Sequence, residues 1–503
     1  MKNKIDNNKK KKILIIVPLV AVLLAGLVFT FFFFKGRSNP AHTDPDQTQT
    51  QSDTQTTLPP AETTTEYLKD FVHAEVENEL GNPENYNETT KTYAIKIFYP
   101  QIGIEALDKL IEEKVQDCAK DFKDKASSSL SEKPALLKVD YKIFTASKEI
   151  EGGKADYYSL VFELDSRTDD GGDFKKEVRT LVIDAESGKA LTSEDFFRPN
   201  FKKRAQDLIV SYYSSQENTK DLASGEDFVK ALADTEGIYD KFVLDGRSIR
   251  FYFNPGLPLP ADMGVGDASV RVSDFGGLLK LRLAGFGIAD GAKIVALTFD
   301  DGPNPRSTKA ILDHLKANSA HATFFTLGRN ARQYGETVKL ISDSGSEVGC
   351  HSEGHKNLTK ISNNDALLSE AFGHVSFIKE KTGQHFVPFR PPYGAVNDHV
   401  IKVLNVPFFM WSIDPRDWAE KPKSESEKAK SVEKITEGVL NNVKDGDIIL
   451  LHDIYDLTAA SAARILPALK ERGYEVVSVS ELFDARGIEL QGGVRYRNAP
   501  PKN

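Results

Sequence analysis

The sequence predicts a chain of three parts: one N-terminal membrane-spanning helix, an α+β domain, and an α/β domain built on a parallel sheet. Three observations carry this. From about residue 290 onward, short apolar runs alternate with helical patterns for about 200 residues. Ahead of them, residues 66–285 mix an amphipathic helical pattern with strand-like runs. Ile13–Phe34 is a run of 22 residues without a charge, directly after a lysine-rich start. At 503 residues the chain is also too long for one ordinary core.

Residues 1–12 hold six Lys and one Asp and read as a basic cytoplasmic tail. The apolar run 13–34 is long enough to cross about 30 Å of hydrocarbon as a helix. Lysines before the span place the N-terminus in the cytoplasm and everything after it outside. A cleaved signal has a shorter apolar region and a small-residue cleavage site. Here the run ends Phe31-Phe32-Phe33-Phe34-Lys35, so an uncleaved anchor is expected. Residues 35–65, rich in Thr, Gln, Pro and Asp, cannot bury enough surface to fold and read as a disordered linker.

In the 66–285 domain, Leu107, Leu110, Ile111 and Val115 recur at helical spacing. Tyr158–Leu164 and Arg179–Asp184 read as antiparallel strands, with a turn at Asp184–Lys189. No cluster of His, Cys and carboxylates stands out. The Gly-Lys-x-Leu-Thr pattern within Thr180–Phe197, together with Arg250–Pro255, resembles an extracellular domain shared by lysozyme-sensing anti-sigma factors and some cell-wall deacetylases.

In the 286–490 domain, strands are expected at 293–299, 321–327, 346–350, 386–390, 407–413, 447–452 and 474–479. Helices are expected at Thr308–Lys316, Asp365–Lys381, Ser431–Val443 and Ala459–Arg472. Alternation of this kind gives either a (β/α) barrel or an open parallel sheet. Residues 491–503 read as a tail.

The residues with chemistry fall at the ends of these strands. Thr298-Phe299-Asp300-Asp301-Gly302-Pro303 closes the first strand with two carboxylates and a Gly-Pro turn. His351 and His355 follow the third strand, four apart, a spacing that shares one face of a helical turn. Asp301 with His351 and His355 is a metal-binding set with open positions; it suits zinc and also non-haem iron, and it leaves Asp300 over as a base. Cys350 precedes a ligand, but its side chain is expected to point away from that of His351. With only two Cys, no disulfide framework or thiolate site is expected. A formal net charge of −9 argues against nucleic acid as a partner.

Five motifs in order, Thr298–Pro303, His351–His355, Arg390-Pro391-Pro392-Tyr393-Gly394, Asp414-Pro415-Arg416-Asp417-Trp418 and Leu450-Leu451-His452-Asp453, resemble those of the polysaccharide deacetylase family (carbohydrate esterase family 4, the NodB homology domain). The resemblance implies a distorted (β/α) barrel of the NodB type. It implies Asp300 as catalytic base paired to Arg390, Asp301, His351 and His355 as metal ligands, and His452 as general acid oriented by Asp417. It further implies Tyr393 as oxyanion donor through its backbone N–H, and Trp418 and Leu450 around the acetyl methyl. The implied cofactor is one divalent metal, Zn²⁺ with Co²⁺ as a substitute.

With the anchor and the middle domain, the whole chain resembles a Gram-positive membrane-anchored peptidoglycan N-acetylglucosamine deacetylase. The implied partners are peptidoglycan glycan strands and the cell membrane, and the implied consequence is lysozyme resistance. N-acetylmuramic acid, chitin and xylan remain open as substrates. A binding protein for wall fragments or lysozyme, with a vestigial last domain, is the reading from another class.

Overall fold

The computed structural model describes residues 68–74, 80–126, 134–149, 154–168 and 172–501. The expected tail 1–12, spanning helix 13–34 and linker 35–65 lie outside the described residues. Among the described residues no helix is long and apolar enough to cross a membrane.

The first layer is a six-stranded sheet of β1 (Asn82–Thr89), β2 (Tyr93–Gln101), β3 (Ala135–Ala146), β4 (Tyr157–Arg167), β5 (Lys175–Asp184) and β6 (Lys189–Leu191), hydrogen-bonded in that order. Only the β2–β3 pair is parallel. It needs a crossover, which the helix Glu105–Ala126 supplies. That helix buries Leu107, Ile111, Val115, Cys118 and Phe122 against Ile95, Val139, Leu160 and Phe162 of the sheet, with Leu110 at the edge of the contact. Its first turn carries Glu105 and Asp108 and its last Lys123 and Lys125, each sign opposing the helix dipole. The expected hairpin is β4 against β5, with Tyr158 opposite Ile183.

Residues 193–288 add the helices Phe201–Ser214 and Glu226–Asp234 and an antiparallel sheet of β7 (Phe242–Asp245), β8 (Ser248–Phe253) and β9 (Gly266–Arg271). They close on a phenylalanine-rich core in which Phe197 stacks on Phe201 at 4.4 Å and meets Phe242, Phe251 and Phe275.

The last domain carries β10 (Lys293–Asp300), β11 (Thr323–Thr326), β12 (Glu347–Cys350), β13 (Phe408–Phe409), β14 (Ile448–His452), β15 (Tyr474–Val477) and β16 (Arg495–Tyr496). The order β12-β11-β10-β14 is parallel throughout, and β15 also pairs with β10. β10 reads as an unbroken apolar run because both its faces are covered. Val295, Leu297 and Phe299 pack with the outer helices, while Ile294 and Ala296 join an inner cluster with Phe325, Phe409 and Ile448. Single parallel bridges, Cys350 to Phe389, Phe389 to Phe408, and Ile413 to Ile449, carry the pairing from β12 back to β14.

Two expected strands shrink here. The 386–390 run keeps only Phe389, bridged to Cys350 and Phe408, since Pro388 has no N–H to give and Pro391-Pro392 follow at once. The 407–413 run keeps two residues and a bridge at Ile413. The expected helix Asp365–Lys381 is two, Asn364–Phe372 and Val375–Thr382, split at Gly373-His374. His374 is fully buried there, and its Nε2–H donates to the Thr326 carbonyl at 3.0 Å.

The middle domain packs on the last one at the end of the sheet remote from Asp300. The helix Val479–Ala485 lies under the inner cluster through Val479, Leu482 and Phe483. Against it sits Gly277, where a Cβ would fall 2.1 Å from the Glu481 carbonyl oxygen, so only glycine permits this approach. Arg204 bonds Asp484 at 3.2 Å, and His321, its ring tilted against Phe286 at 4.5 Å, bonds Glu481 at 3.1 Å.

Candidate active site

The site forms where β10, β12 and β14 end. Register decides which side chains share it. Thr298 lies opposite Leu450 and Asp300 opposite His452, so these four face the same inner side of the sheet. Asp301 would point outward if the strand continued. Instead it takes φ 74°, and the chain turns, bringing its carboxylate to the same place. Gly302 allows the turn, because a Cβ there would meet the Asp453 Oδ1 at 2.1 Å.

Arg390 is fully buried and fixes Asp300. One guanidinium nitrogen donates to Asp300 Oδ1 and to Thr298 Oγ1, both at 2.8 Å. The others donate to the Phe409 and Met410 carbonyls at 2.9 Å each, and the group lies 4.2 Å from the Phe325 ring centroid. All three guanidinium nitrogens donate, as a buried charge requires. Burial pushes the Asp300 carboxyl above the ordinary carboxylate range, against the pull of Arg390 and His452. The pairing expected from the motifs is present, and the net direction is upward, towards a stronger proton acceptor.

Asp301, His351 and His355 place one ligand atom each within 4.8 Å of one another. His355 Nε2 is 3.3 Å and His351 Nε2 3.7 Å from Asp301 Oδ1, a buried oxygen with no hydrogen-bond partner among the described residues. The His351 Nδ1–H donates to the Arg390 carbonyl at 2.7 Å, which leaves the Nε2 lone pair facing Asp301. Burial holds the His351 imidazole down at about 3, so the ring is neutral, as a ligand must be. An orphaned carboxylate oxygen facing two imidazole lone pairs fits a divalent cation of the zinc type.

The two histidines do not share a helical turn. Residues 351–357 form a loop in which Ser352 and His355 have φ 71° and 61°. A buried carboxylate, Glu370, shapes it. Its Oε1 accepts from the Gly354 N–H at 2.8 Å, the Lys356 N–H at 3.3 Å and the Ser352 hydroxyl at 3.2 Å. The Ser352 Oγ in turn accepts from the His355 N–H at 3.0 Å. Cys350 faces away from the site, as expected: its thiol donates to the Ala371 carbonyl at 3.0 Å, and burial pushes it up to about 12.

Opposite the metal set, the His452 Nδ1–H donates to Asp417 Oδ1 at 2.8 Å. Asp417 is buried and also accepts from the His452 N–H, the Trp418 N–H and the Thr458 hydroxyl at 2.8, 2.9 and 2.6 Å. Burial alone would lower the His452 imidazole. The hydrogen bond and charge of Asp417, with Asp300 and Asp301 beyond, outweigh it and raise the ring to about 9. Leu450 is buried on the inner face, Trp418 is 40% exposed at the rim, and Tyr393, 65% exposed with φ 61°, sets its ring 4.5 Å from that of His355.

All ten residues singled out in the sequence therefore lie around one opening. Of eight non-glycine residues with positive φ among those described, Asp301, Ser352, His355, Tyr393 and Arg416 are in the motif turns. Backbone held in this sparsely populated region clusters at functional sites. Glu370 and Thr458 stand outside the five motifs, and Asp453, inside the fifth, carried no expected role. Glu370 lies in the last turn of its helix, and its only signal was a carboxylate beside Leu367 and Ala371 on a buried face.

The polysaccharide deacetylase family model matches residues 287–406. The chain is 32% identical over 338 residues to the peptidoglycan-N-acetylglucosamine deacetylase PgdA of Listeria monocytogenes, covering 64% of this chain and 67% of that protein. It is 37% identical over 204 residues to a peptidoglycan-N-acetylglucosamine deacetylase of Bacillus cereus, 39% of this chain and 91% of that protein. It is 28% identical over 425 residues to the peptidoglycan-N-acetylmuramic acid deacetylase PdaC of Bacillus subtilis, 79% of this chain and 86% of that protein. The chain belongs to the polysaccharide deacetylase family, whose members are metal-dependent hydrolases.

Proposed function

We propose that this protein removes N-acetyl groups from N-acetylglucosamine units of cell-wall peptidoglycan, using zinc, from a membrane anchor at 13–34 that leaves the last domain facing the wall. One observation carries the chemistry: a buried, Arg390-locked Asp300 and an Asp417-held His452, register partners at the ends of neighbouring strands, stand at the Asp301, His351 and His355 set, with Asp300 Oδ2 3.6 Å from His351 Nε2.

A divalent ion held by those three residues would supply Lewis acidity, polarising the acetyl carbonyl and acidifying water beside it. Asp300 takes the proton from the attacking water, with its second oxygen held still by Arg390. The Tyr393 N–H donates to the oxygen on which negative charge develops. His452, protonated at neutral pH, gives its proton to the departing sugar nitrogen, and Asp417 stabilises the imidazolium until it does. Leu450 and Trp418 bound the space for the acetyl methyl. Acetate and a free amine leave, and no covalent intermediate on the chain is required.

The substrate reading rests on the relatives, two named for N-acetylglucosamine and one for N-acetylmuramic acid. Incubating purified wall with the full-length chain, then measuring acetate and the masses of muramidase fragments, tests it. Acetate release with the mass loss on N-acetylglucosamine supports the proposal. Loss on N-acetylmuramic acid moves the specificity to the other sugar, and no acetate favours a wall-binding protein with a vestigial domain.

A further inference from the structure

Beside His452 the active-site opening continues into a cleft of about 630 Å³ that the mechanism does not use. Its walls are the turn after β10, the turn after β14 and the loop that follows Trp418, represented by Arg306, Tyr455 and Lys421. The Tyr455 ring stands 6.2 Å from the His452 ring, so the cleft opens at the group that protonates the leaving nitrogen. A polymer with one unit at Asp300 must pass its next unit along one of the walls around this opening, and this cleft lies beside His452.

The charges in the cleft are unevenly satisfied. Arg306 pairs with Asp456 at 3.0 Å. Glu420 is turned away to the helix Glu425–Leu440, where it accepts from Ser431 at 2.8 Å and Lys434 at 2.6 Å. Lys421 is different: its ammonium lies 5.1 Å over the face of Tyr455, and no carboxylate pairs with it among the described residues. An aromatic ring holds the cation in place without neutralising it. The whole chain carries a formal −9, so an unpaired lysine is a local exception to its net charge.

We propose that Lys421, seated on Tyr455, binds a carboxylate carried by the sugar next to the one being deacetylated. The ligand class is an acid-substituted glycan, such as a peptidoglycan strand whose lactyl carboxylate is free because its stem peptide has been removed, in contrast to neutral chitin or xylan. This rests on the peptidoglycan reading and sharpens it. Tyr455 holds Lys421 in place, and Lys421 selects the charge.

The test compares two forms of one substrate: wall glycan strands stripped of peptide but keeping the lactyl carboxylate, and the same strands with that carboxylate capped as a neutral amide. For the full-length chain, KM on the acidic strands is expected roughly three- to fivefold below that on the capped strands, the size of one exposed ion pair. Lys421→Glu should invert that ratio, with the change in KM rather than kcat, and Lys421→Arg should retain it. High salt should erase the preference. A ratio of one in the wild type, or an equal KM change on both strands in Lys421→Glu, overturns the carboxylate site while leaving peptidoglycan deacetylation standing. Acetate from neither strand overturns both readings.

Discussion

Asp300 and Asp301 are neighbours in sequence with separate tasks, and one backbone angle separates them. Asp300 ends a strand and meets Arg390; Asp301, at φ 74°, meets the histidines. Asp300→Asn should keep the metal, measured by elemental analysis, and lose about 10²–10⁴-fold in rate. His355→Ala should lose the metal and keep its circular dichroism. His452 must carry its proton to act, so the alkaline limb of kcat/KM is expected near pH 9. Asp417→Asn removes the charge that raises it, and a pH–rate profile should show that limb shifted to lower pH. The same pair bears on stability. Because the folded value of His452 is raised, its contribution is complete below the ordinary histidine value of about 6.5 and is lost as pH rises through about 9. Denaturant midpoints of wild type and Asp417→Asn should therefore converge above pH 9. These residues were legible because strand-end chemistry leaves a local signature: acids before Gly-Pro, and an imidazole ending an apolar run. Glu370 left none, since its partners are backbone N–H groups 14–16 residues away that only the loop's path brings near.

At the scale of elements, the loop 351–357 stands where sequence spacing suggested a helical turn. Four-residue spacing is compatible with both, and it is Glu370, on the helix Asn364–Phe372, that selects the loop. Glu370→Ala leaves the Gly354 and Lys356 N–H groups without their acceptor. It is expected to weaken zinc binding by about 10–100-fold in a competition assay with a fluorescent chelator, as loss of such supporting contacts does. Glu370→Gln, which keeps one acceptor oxygen, should lose less. If zinc affinity is unchanged while only thermal stability falls, Glu370 is structural alone. The strands at 386–390 and 407–413 show the opposite limit of sequence reading. Their apolar composition placed them at the correct positions, but the prolines around Phe389 restrict the pairing to that one residue.

At the scale of the whole molecule, the middle domain and the last domain meet across Gly276-Gly277 and the helix Val479–Ala485. Gly277→Ala should cost about 1–3 kcal/mol in urea unfolding, as overpacking of a tight contact does, without altering the pH–rate profile. A change confined to catalysis would place the coupling elsewhere. The proposed topology has its own test: protease added to intact wall-stripped cells should destroy the last domain. A strain lacking the protein should be more sensitive to lysozyme, and Asp300→Asn at equal expression should not restore resistance. Each deacetylation removes an acetyl contact and adds an ammonium, both unfavourable to a cationic muramidase.

The contact between these domains lies at the far end of the strands from Asp300, and that has a consequence for descent. The Bacillus cereus relative matches over 91% of its own length while covering 39% of this chain, so the alignment spans a stretch about the size of the last domain alone. A second domain joined at the strand beginnings leaves every residue at the strand ends untouched. Addition or loss of the middle domain is then close to neutral for the chemistry, and lineages could exchange it freely. The residues that must change together are instead those of the seam: Arg204 with Asp484, and Gly277 with the helix that carries Glu481. Covariation among family members should therefore tie these positions to the presence of the middle domain, and leave Asp300, His351 and His452 indifferent to it.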